Sequence, residues 1–390
     1  MRQAVKRDST HKNHIITTII PAYNAEKSIC HALDSIRKQD EKNIQIIIID
    51  DGSTDNTGIE VLSYMDMHAD MDIVYLCQDN AGPGAARNLG LEYADGTYIC
   101  FLDSDDFVPA HAYKQFLNVA NTYDCDVVIG SYMRRVDNEK WYIPDYIRKL
   151  CHDSDGINLA GDYVVAMKNP SLWNRMYKRD FLNSNKIRFL NENHGEDCVF
   201  NLDVLKYAAS VYTTDSICYC YSKRLNGRDS VSTSWSYVNT ISRIRAIDTY
   251  FLYFDGIGDV YAEIVYINSH ISYLMDGIRT IKDKDERNSL YQSFMVSLSK
   301  YIGNKKYEKF ISAILGIDLD IAVLLTFDAY LIQKQKFWNG RTDTASNNHS
   351  SGSTNQDSKD IVLQQFANGK IGFKYIIKYF SAWIKYKIHH

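Results

Sequence analysis

The sequence predicts an α/β fold with a mainly parallel central sheet, followed by a mostly helical C-terminal extension. Three observations carry that expectation. Short β-branched runs alternate with helical stripes over the first third of the chain. The runs are apolar almost throughout, as in Ile44–Ile49, which suits strands covered on both faces. From about Tyr237 to Ile332 the apolar spacing becomes mostly helical.

Taken in order, Ile15–Ile20 reads as a strand ended by Pro21. Glu26–Lys38 carries Ile29, Ala32, Leu33 and Ile36, the i, i+3, i+4, i+7 stripe of an amphipathic helix. Ile44–Ile49 is the second strand. Asp55 or Thr57 can cap a second helix reaching about His68. Ile73–Leu76 is a third strand, Asn80–Gly84 a loop and Ala85–Tyr93 a helix. Tyr98–Leu102 is a fourth strand, ending at Asp103. Strand–helix–strand units of this length imply right-handed crossovers in a parallel sheet. Ala110–Asn121 then reads as a helix and Val127–Gly130 as a strand, while residues 131–235 are mixed, polar and aromatic.

The composition excludes several classes. With 390 residues, 45% of them apolar, the chain can bury a sizeable core. Forty-four Lys and Arg against 48 Asp and Glu leave a net charge of -4, so no basic surplus exists to hold nucleic acid. Eight cysteines occur without a CxxC pair, which points to buried free thiols in a reducing compartment. Met1–His14 lacks the apolar core of a signal peptide, and no run of about 18 uncharged apolar residues appears. The expected location is therefore cytoplasmic.

In an open α/β sheet, ligands bind beyond the carboxyl ends of the strands. Every chemically suggestive motif falls at such an end: Pro21-Ala22-Tyr23-Asn24, Asp50-Asp51-Gly52-Ser53, Asn80 to Asn88, and Asp103-Ser104-Asp105-Asp106. Closely packed carboxylates repel unless a cation sits among them, and hard divalent ions take carboxylate and phosphate oxygens. Asp-x-Asp alone is more often a solvated turn with capping aspartates; the other strand-end motifs reverse that reading. Asp51 can accept from a ribose hydroxyl or a base N–H. Tyr23 offers a face for stacking, or covers the sheet edge. Gly82, Gly84 and Arg87 combine close backbone approach with one fixed positive charge. Neither GxxxxGK[ST] nor an early GxGxxG occurs, so P-loop and dinucleotide folds are disfavoured.

These motifs give the chain a family resemblance. Ile20–Asn24, Ile49–Asp55, Asn80–Asn88 and Phe101–Asp106, in this order, resemble the N-terminal half of a family 2 glycosyltransferase of the GT-A fold. Leu172-Trp173-Asn174 and Gly195-Glu196-Asp197 also match, and Tyr221–Ser234 resembles the loop that closes such domains. The resemblance covers about residues 15–235. It implies an inverting transfer of a sugar from a nucleotide sugar donor, UDP being the family's commonest carrier, to a hydroxyl of a glycan or lipid-linked acceptor in surface polysaccharide biosynthesis. Pro21, Tyr23, Asn24, Asp51, Arg87, Asp103, Ser104 and Asp105 would bind the nucleotide sugar, with Asp105 on Mn2+ or Mg2+. Asp197 would be the catalytic base, and Trp173 and Glu196 would lie on the acceptor side. His194 reads as a bystander. Rival readings are a nucleotidyltransferase, which would want a glycine-rich basic loop near the first strand, and an inactive sugar-nucleotide-binding partner of another transferase.

The expected organisation is a flexible N-terminus (1–14), the glycosyltransferase domain (15–235), a helical region (236–337), a Ser/Asn/Gly-rich linker (338–360) and a basic amphipathic helix (361–390). Phe373, Ile376, Ile377, Phe380, Trp383 and Ile384 with five lysines suit either an anionic membrane surface or docking on the catalytic domain.

Overall fold

The computed structural model describes residues 3–6, 13–136, 140–144, 171–190, 195–223, 235–254, 274 and 277–302. The linker 338–360, the basic helix 361–390, His194 and the loop beyond Lys223 lie outside the described residues. The described residues form two compact units. The first holds the residues up to 223 together with 248–254. The second holds 235–247 and the described residues from 274 onward.

The first unit is built on one eight-stranded sheet in the order β1-β4-β3-β2-β5-β7-β6-β8. In chain order the strands are β1 (Gln3–Lys6), β2 (Ile16–Ala22), β3 (Ile44–Asp50), β4 (Asp72–Cys77), β5 (Tyr98–Phe101), β6 (Val127–Val136), β7 (Arg175–Lys178) and β8 (Val211–Lys223). β4, β3, β2 and β5 are mutually parallel. β7 is antiparallel to both β5 and β6, and β8 is parallel to β6. The carboxyl ends of β2, β3, β4, β5, β6 and β8 therefore share one edge, where β7 begins.

Helices α1 (Ile29–Arg37), α2 (Thr57–Met67), α3 (Pro83–Tyr93) and α4 (Ala112–Tyr123) follow β2, β3, β4 and β5. The isoleucine run of β3 is buried along its whole length, as a central strand covered on both faces requires. Ile29, Ala32, Leu33 and Ile36 are the buried stripe of α1. Two further helices follow: the short α5 (Arg179–Ser184), directly after β7, and α6 (Glu196–Tyr207). The fold class expected from the sequence holds.

Several local expectations change. β2 continues through Pro21 to Ala22. Its partner β5 pairs only as far as Ile19, so the missing Pro21 N–H removes no ladder bond on that side. α3 starts at Pro83, whose fixed φ and absent N–H suit the first helical position. β6 runs six residues beyond Gly130, and Gln3–Lys6 pairs antiparallel with β4 at the sheet edge. The described cysteines are free, and Cys100, Cys125, Cys198, Cys218 and Cys220 are buried.

The second unit includes the start of α7 (Tyr237–Phe254) and α8 (Lys284–Ile302). The Tyr237 hydroxyl lies 3.2 Å from Ser289 Oγ, and the Arg243 guanidinium lies 4.1 Å from the centre of the Trp235 ring. No helix among the described residues is long and apolar enough to cross a membrane.

Candidate active site

The four strand-end motifs are stitched to one another. The Asp51 N–H donates to Ala22 O at 2.8 Å, continuing the β2–β3 ladder into the turns. Asn24 takes a left-handed conformation, φ 51°, which asparagine tolerates. Its N–H donates to Ser53 Oγ and its Oδ1 accepts from the Thr54 N–H. Asp50 accepts from the Ser53 N–H and the Tyr75 hydroxyl. Gly52 has φ 77° and would place a Cβ 2.9 Å from Asn80 N, so this turn requires glycine. The Asp51 carboxylate is buried and draws in the third motif, accepting from Gln78 Nε2 at 2.7 Å and from the Ala81 and Gly82 N–H groups at 2.8 Å. Tyr23 stands at the rim with 52% of its surface exposed, beside half-buried Pro21.

At the end of β5 the acids separate by environment. Asp105 is exposed, Asp103 and Ser104 are half-buried, and Asp106 is buried. The Asp106 carboxylate accepts from the Tyr219 hydroxyl and the Ser222 N–H, each at 2.9 Å. Burial holds its pKa well above the usual carboxylate range, and the charges of Asp105 and Asp103 raise it further. Tyr219 also accepts from the Asp103 N–H at 3.2 Å, so one buried phenol ties β8 to both ends of the acidic turn.

Arg87, on the first turns of α3, joins this turn to α6. Its Nη2 donates to Asp103 Oδ1 at 2.9 Å and its Nη1 to Glu196 Oε1 at 3.0 Å. Arg87 and Glu196 are both buried. The guanidinium thus reaches a carboxyl 109 positions along the chain. Three further contacts seat the segment that leads to α6. Asn88 exchanges a reciprocal pair of hydrogen bonds with the Phe189 backbone, both 2.8 Å. The Phe189 ring stacks on Phe200 of α6 at 4.1 Å and lies 5.5 Å from the Arg87 guanidinium. A Cβ at Gly84 would sit 2.5 Å from Leu190 O and 3.1 Å from Glu196 Cγ, so α3 and α6 meet only because this residue has none.

Asp197 is half-buried in the first turn of α6, where a carboxylate faces the positive end of the helix dipole. Its charge raises the pKa of both neighbours, Arg87 and Glu196. Burial, followed by the Asp197 charge, pushes Glu196 up to about 8 against the opposing pull of Arg87. Its protonation state therefore changes near neutrality. The folded state holds this proton more tightly than the unfolded chain, so the contribution to stability is complete below the unfolded pKa of 4.5 and is lost as pH rises through about 8. Urea midpoints should fall between pH 5 and pH 8.5, and Glu196→Gln should flatten that dependence; an unchanged slope in the variant would assign it to other groups.

The remaining expected residue, Trp173, precedes β7. It stacks on Tyr219 at 4.3 Å and on Tyr221 at 5.5 Å, and meets Tyr132 edge-on at 4.8 Å. Sequence reasoning missed Tyr219, which looked like an alternating strand residue between two cysteines. It also missed Arg175, a fully buried cation at the start of β7, beside a tryptophan and asparagine that were noted. For Arg175 the only sequence signal was a charge inside an apolar stretch.

Among the described residues no group of three or more His, Cys, Asp and Glu side chains is arranged to hold a cation alone. The acidic turn still fits a hard divalent ion shared with substrate phosphates. Asp105 is exposed, Asp103 is partly exposed, and their summed charge is felt by Asp106.

Comparison with known proteins places this arrangement. Residues 17–186 match the family described as "Glycosyl transferase family 2". This region of the chain is similar to that family. The glycosyltransferase GlyA of Streptococcus pneumoniae is 31% identical over 228 residues, which are 57% of this chain and 32% of GlyA. A poly(ribitol-phosphate) beta-glucosyltransferase of Bacillus spizizenii is 26% identical over 297 residues, 72% of this chain and 44% of that protein. The chain thus spans less than half the length of these two relatives. Among solved structures, residues 1–349 of Staphylococcus aureus TarS, in complex with UDP-GlcNAc, match with a TM-score of 0.64 at 20% identity, covering 85% of this chain and 94% of that one. That likeness shows a GT-A-like fold.

Proposed function

We propose that the chain is an inverting, metal-dependent glycosyltransferase. It would move a hexosyl group from a nucleotide sugar, UDP-linked in the first instance, to a hydroxyl of a glycan or lipid-linked acceptor in surface polymer biosynthesis. The observation that carries this reading is the Arg87 bridge, which joins Asp103 to the Glu196–Asp197 turn. Relatives named as transferring glucose and N-acetylglucosamine support the hexosyl donor.

In this reading Pro21, Tyr23, Asn24 and Asp51 frame the nucleoside. Tyr23 supplies a face for the base, and Asp51 acts by fixing the Ala81–Gly82 backbone. Asp103, Ser104 and Arg87 surround the ribose and diphosphate. Asp105, with Asp103, would hold Mn2+ or Mg2+, which when bound offsets the charge of a departing nucleoside diphosphate. Asp197 accepts the proton of the acceptor hydroxyl as that oxygen attacks the anomeric carbon, while the bond to the diphosphate oxygen breaks on the opposite face. One displacement inverts the centre, so no nucleophilic Ser or Cys is required. Trp173 lies on the acceptor side, its ring packing against a sugar face.

A screen of nucleotide sugars for Mn2+-dependent turnover and thermal stabilisation tests the proposal. With the donor it identifies, Asp105→Ala should lose metal-dependent nucleotide binding by calorimetry together with transfer. Unchanged binding would remove Asp105 from the metal, and the absence of any stabilising nucleotide would overturn the donor assignment.

A further inference from the structure

Arg134 lies near the end of β6, on the sheet edge that carries Asp51 and Asp103. Arg134 and Tyr221 are register partners on the parallel β6–β8 ladder. They share a face, and the Arg134 guanidinium lies 5.9 Å from the centre of the Tyr221 ring. Tyr221 in turn stacks with Trp173, and Trp173 with Tyr219, whose hydroxyl binds the acidic turn. A continuous line of contacts therefore runs from Asp103 to Arg134. β6 is two strand spacings from β5, roughly 10 Å, a distance suited to a group beyond the reacting sugar.

The arginines of this unit are not treated alike. Arg87 spends its guanidinium on two carboxylates. Arg135 points to the other sheet face, where Nη2 lies 3.4 Å from Ser222 Oγ and the guanidinium lies 4.6 Å from the Trp141 ring centre. Arg134 is half-buried, its Nε is buried without a hydrogen-bond partner, and it pairs with no carboxylate among the described residues. Partly burying a guanidinium costs free energy that a carboxylate or other oxyanion normally offsets. Here the offset within the described residues is one aromatic face. The planar fork remains suited to bidentate contact with an oxyanion.

We infer that Arg134, backed by Tyr221, is an anion subsite for the acceptor, so the acceptor carries a phosphate or carboxylate group near the hydroxyl that receives the sugar. This rests on the glycosyltransferase reading for its role, though the subsite itself stands on the geometry of β6 and β8. An acceptor repeat bearing one such charge would lay a sugar ring along Trp173 and set its oxyanion on Arg134.

The full chain, Arg134→Gln, Arg134→Lys and Arg135→Gln are first titrated with UDP and Mn2+, which reads the donor site and the fold. Each is then titrated at low ionic strength, with UDP and Mn2+ retained, against glycerol phosphate and separately against glucuronate. At least one probe should bind the unaltered chain, weaken about tenfold or more in Arg134→Gln and less in Arg134→Lys, and keep its affinity in Arg135→Gln. Binding of glycerol phosphate points to a phosphate-bearing acceptor, and binding of glucuronate alone to a carboxylate-bearing one. Equal affinity in Arg134→Gln, equal loss in Arg135→Gln, or no binding of either probe overturns the subsite. If UDP binds none of the proteins while probe binding still depends on Arg134, the donor reading fails and the subsite survives.

Discussion

Asp197→Asn keeps nucleotide binding and loses turnover by about 10²–10⁴-fold, the range expected when a positioned general base is removed. Its place supports that outcome. Asp197 sits in the first turn of α6, half-buried, beside an Arg87 whose guanidinium is already occupied by Asp103 and Glu196. The neighbouring carboxyl is a poor substitute as base, because Glu196 is buried and its Oε1 already accepts from Arg87 Nη1 at 3.0 Å. Asparagine preserves size and can still accept from the Cys198 N–H, as Asp197 Oδ1 does at 2.7 Å, so the turn keeps its local support. Calorimetry with UDP and steady-state rates with the donor found by the screen separate the two effects. Near-normal turnover would remove Asp197 as the base, and loss of nucleotide binding would show that it serves the donor instead.

Arg87→Met destabilises the protein by about 3–5 kcal/mol, because it leaves the buried Glu196 and the half-buried Asp103 without their shared cation. Methionine fills part of the volume over Phe189, so the loss reports the charge more than the packing. The cost depends on pH. Glu196 has its pKa pushed up to about 8, so below neutrality the carboxyl is mostly protonated and tolerates loss of the arginine better. The double variant Arg87→Met/Glu196→Gln should recover part of the stability, since only the half-buried Asp103 then remains without its cation. Denaturant unfolding of both variants at pH 6 and pH 8.5 measures this. A loss under about 1 kcal/mol at both pH values would mean the bridge contributes little to holding α3 against α6.

What could be read from the sequence follows from local physics. β2, β3, β4 and β5 announce themselves because buried parallel strands are apolar runs. Their ends carry the motifs because a parallel sheet has ligand-facing turns on one edge. Pro21, Gly52 and Pro83 mark those turns through backbone preference, although Pro21 proved compatible with two more strand residues where β5 had ended. β8 was harder to read. Cysteine and tyrosine alternate over Cys218–Tyr221, and its buried Tyr219 looks like any strand tyrosine until Asp106 and the Asp103 N–H are placed against it. The Arg87–Glu196 contact could not be read at all, because no local pattern links residues 109 positions apart. Asn88 closes the third strand-end motif. Its reciprocal bonds to Phe189 show that the residue beside the arginine docks the approach to α6.

Asp51 also bears on the Arg87 bridge. Its carboxylate is met by the loop that begins α3, so the Asp51 turn sets where Arg87 starts its reach. A chain of hydrogen bonds through the Asp51 carboxylate and the Arg87 guanidinium then runs from the end of β3 to the first turn of α6.

A crystal structure of the full chain with Mn2+ and a UDP-sugar identified by the screen tests the central claim most directly. The account predicts the diphosphate against Asp103 and Asp105, the base beside Tyr23, and the Asp197 carboxylate across the anomeric carbon from the leaving oxygen. A nucleotide seated elsewhere, or Asp197 on the same side of the sugar as the diphosphate, would contradict it.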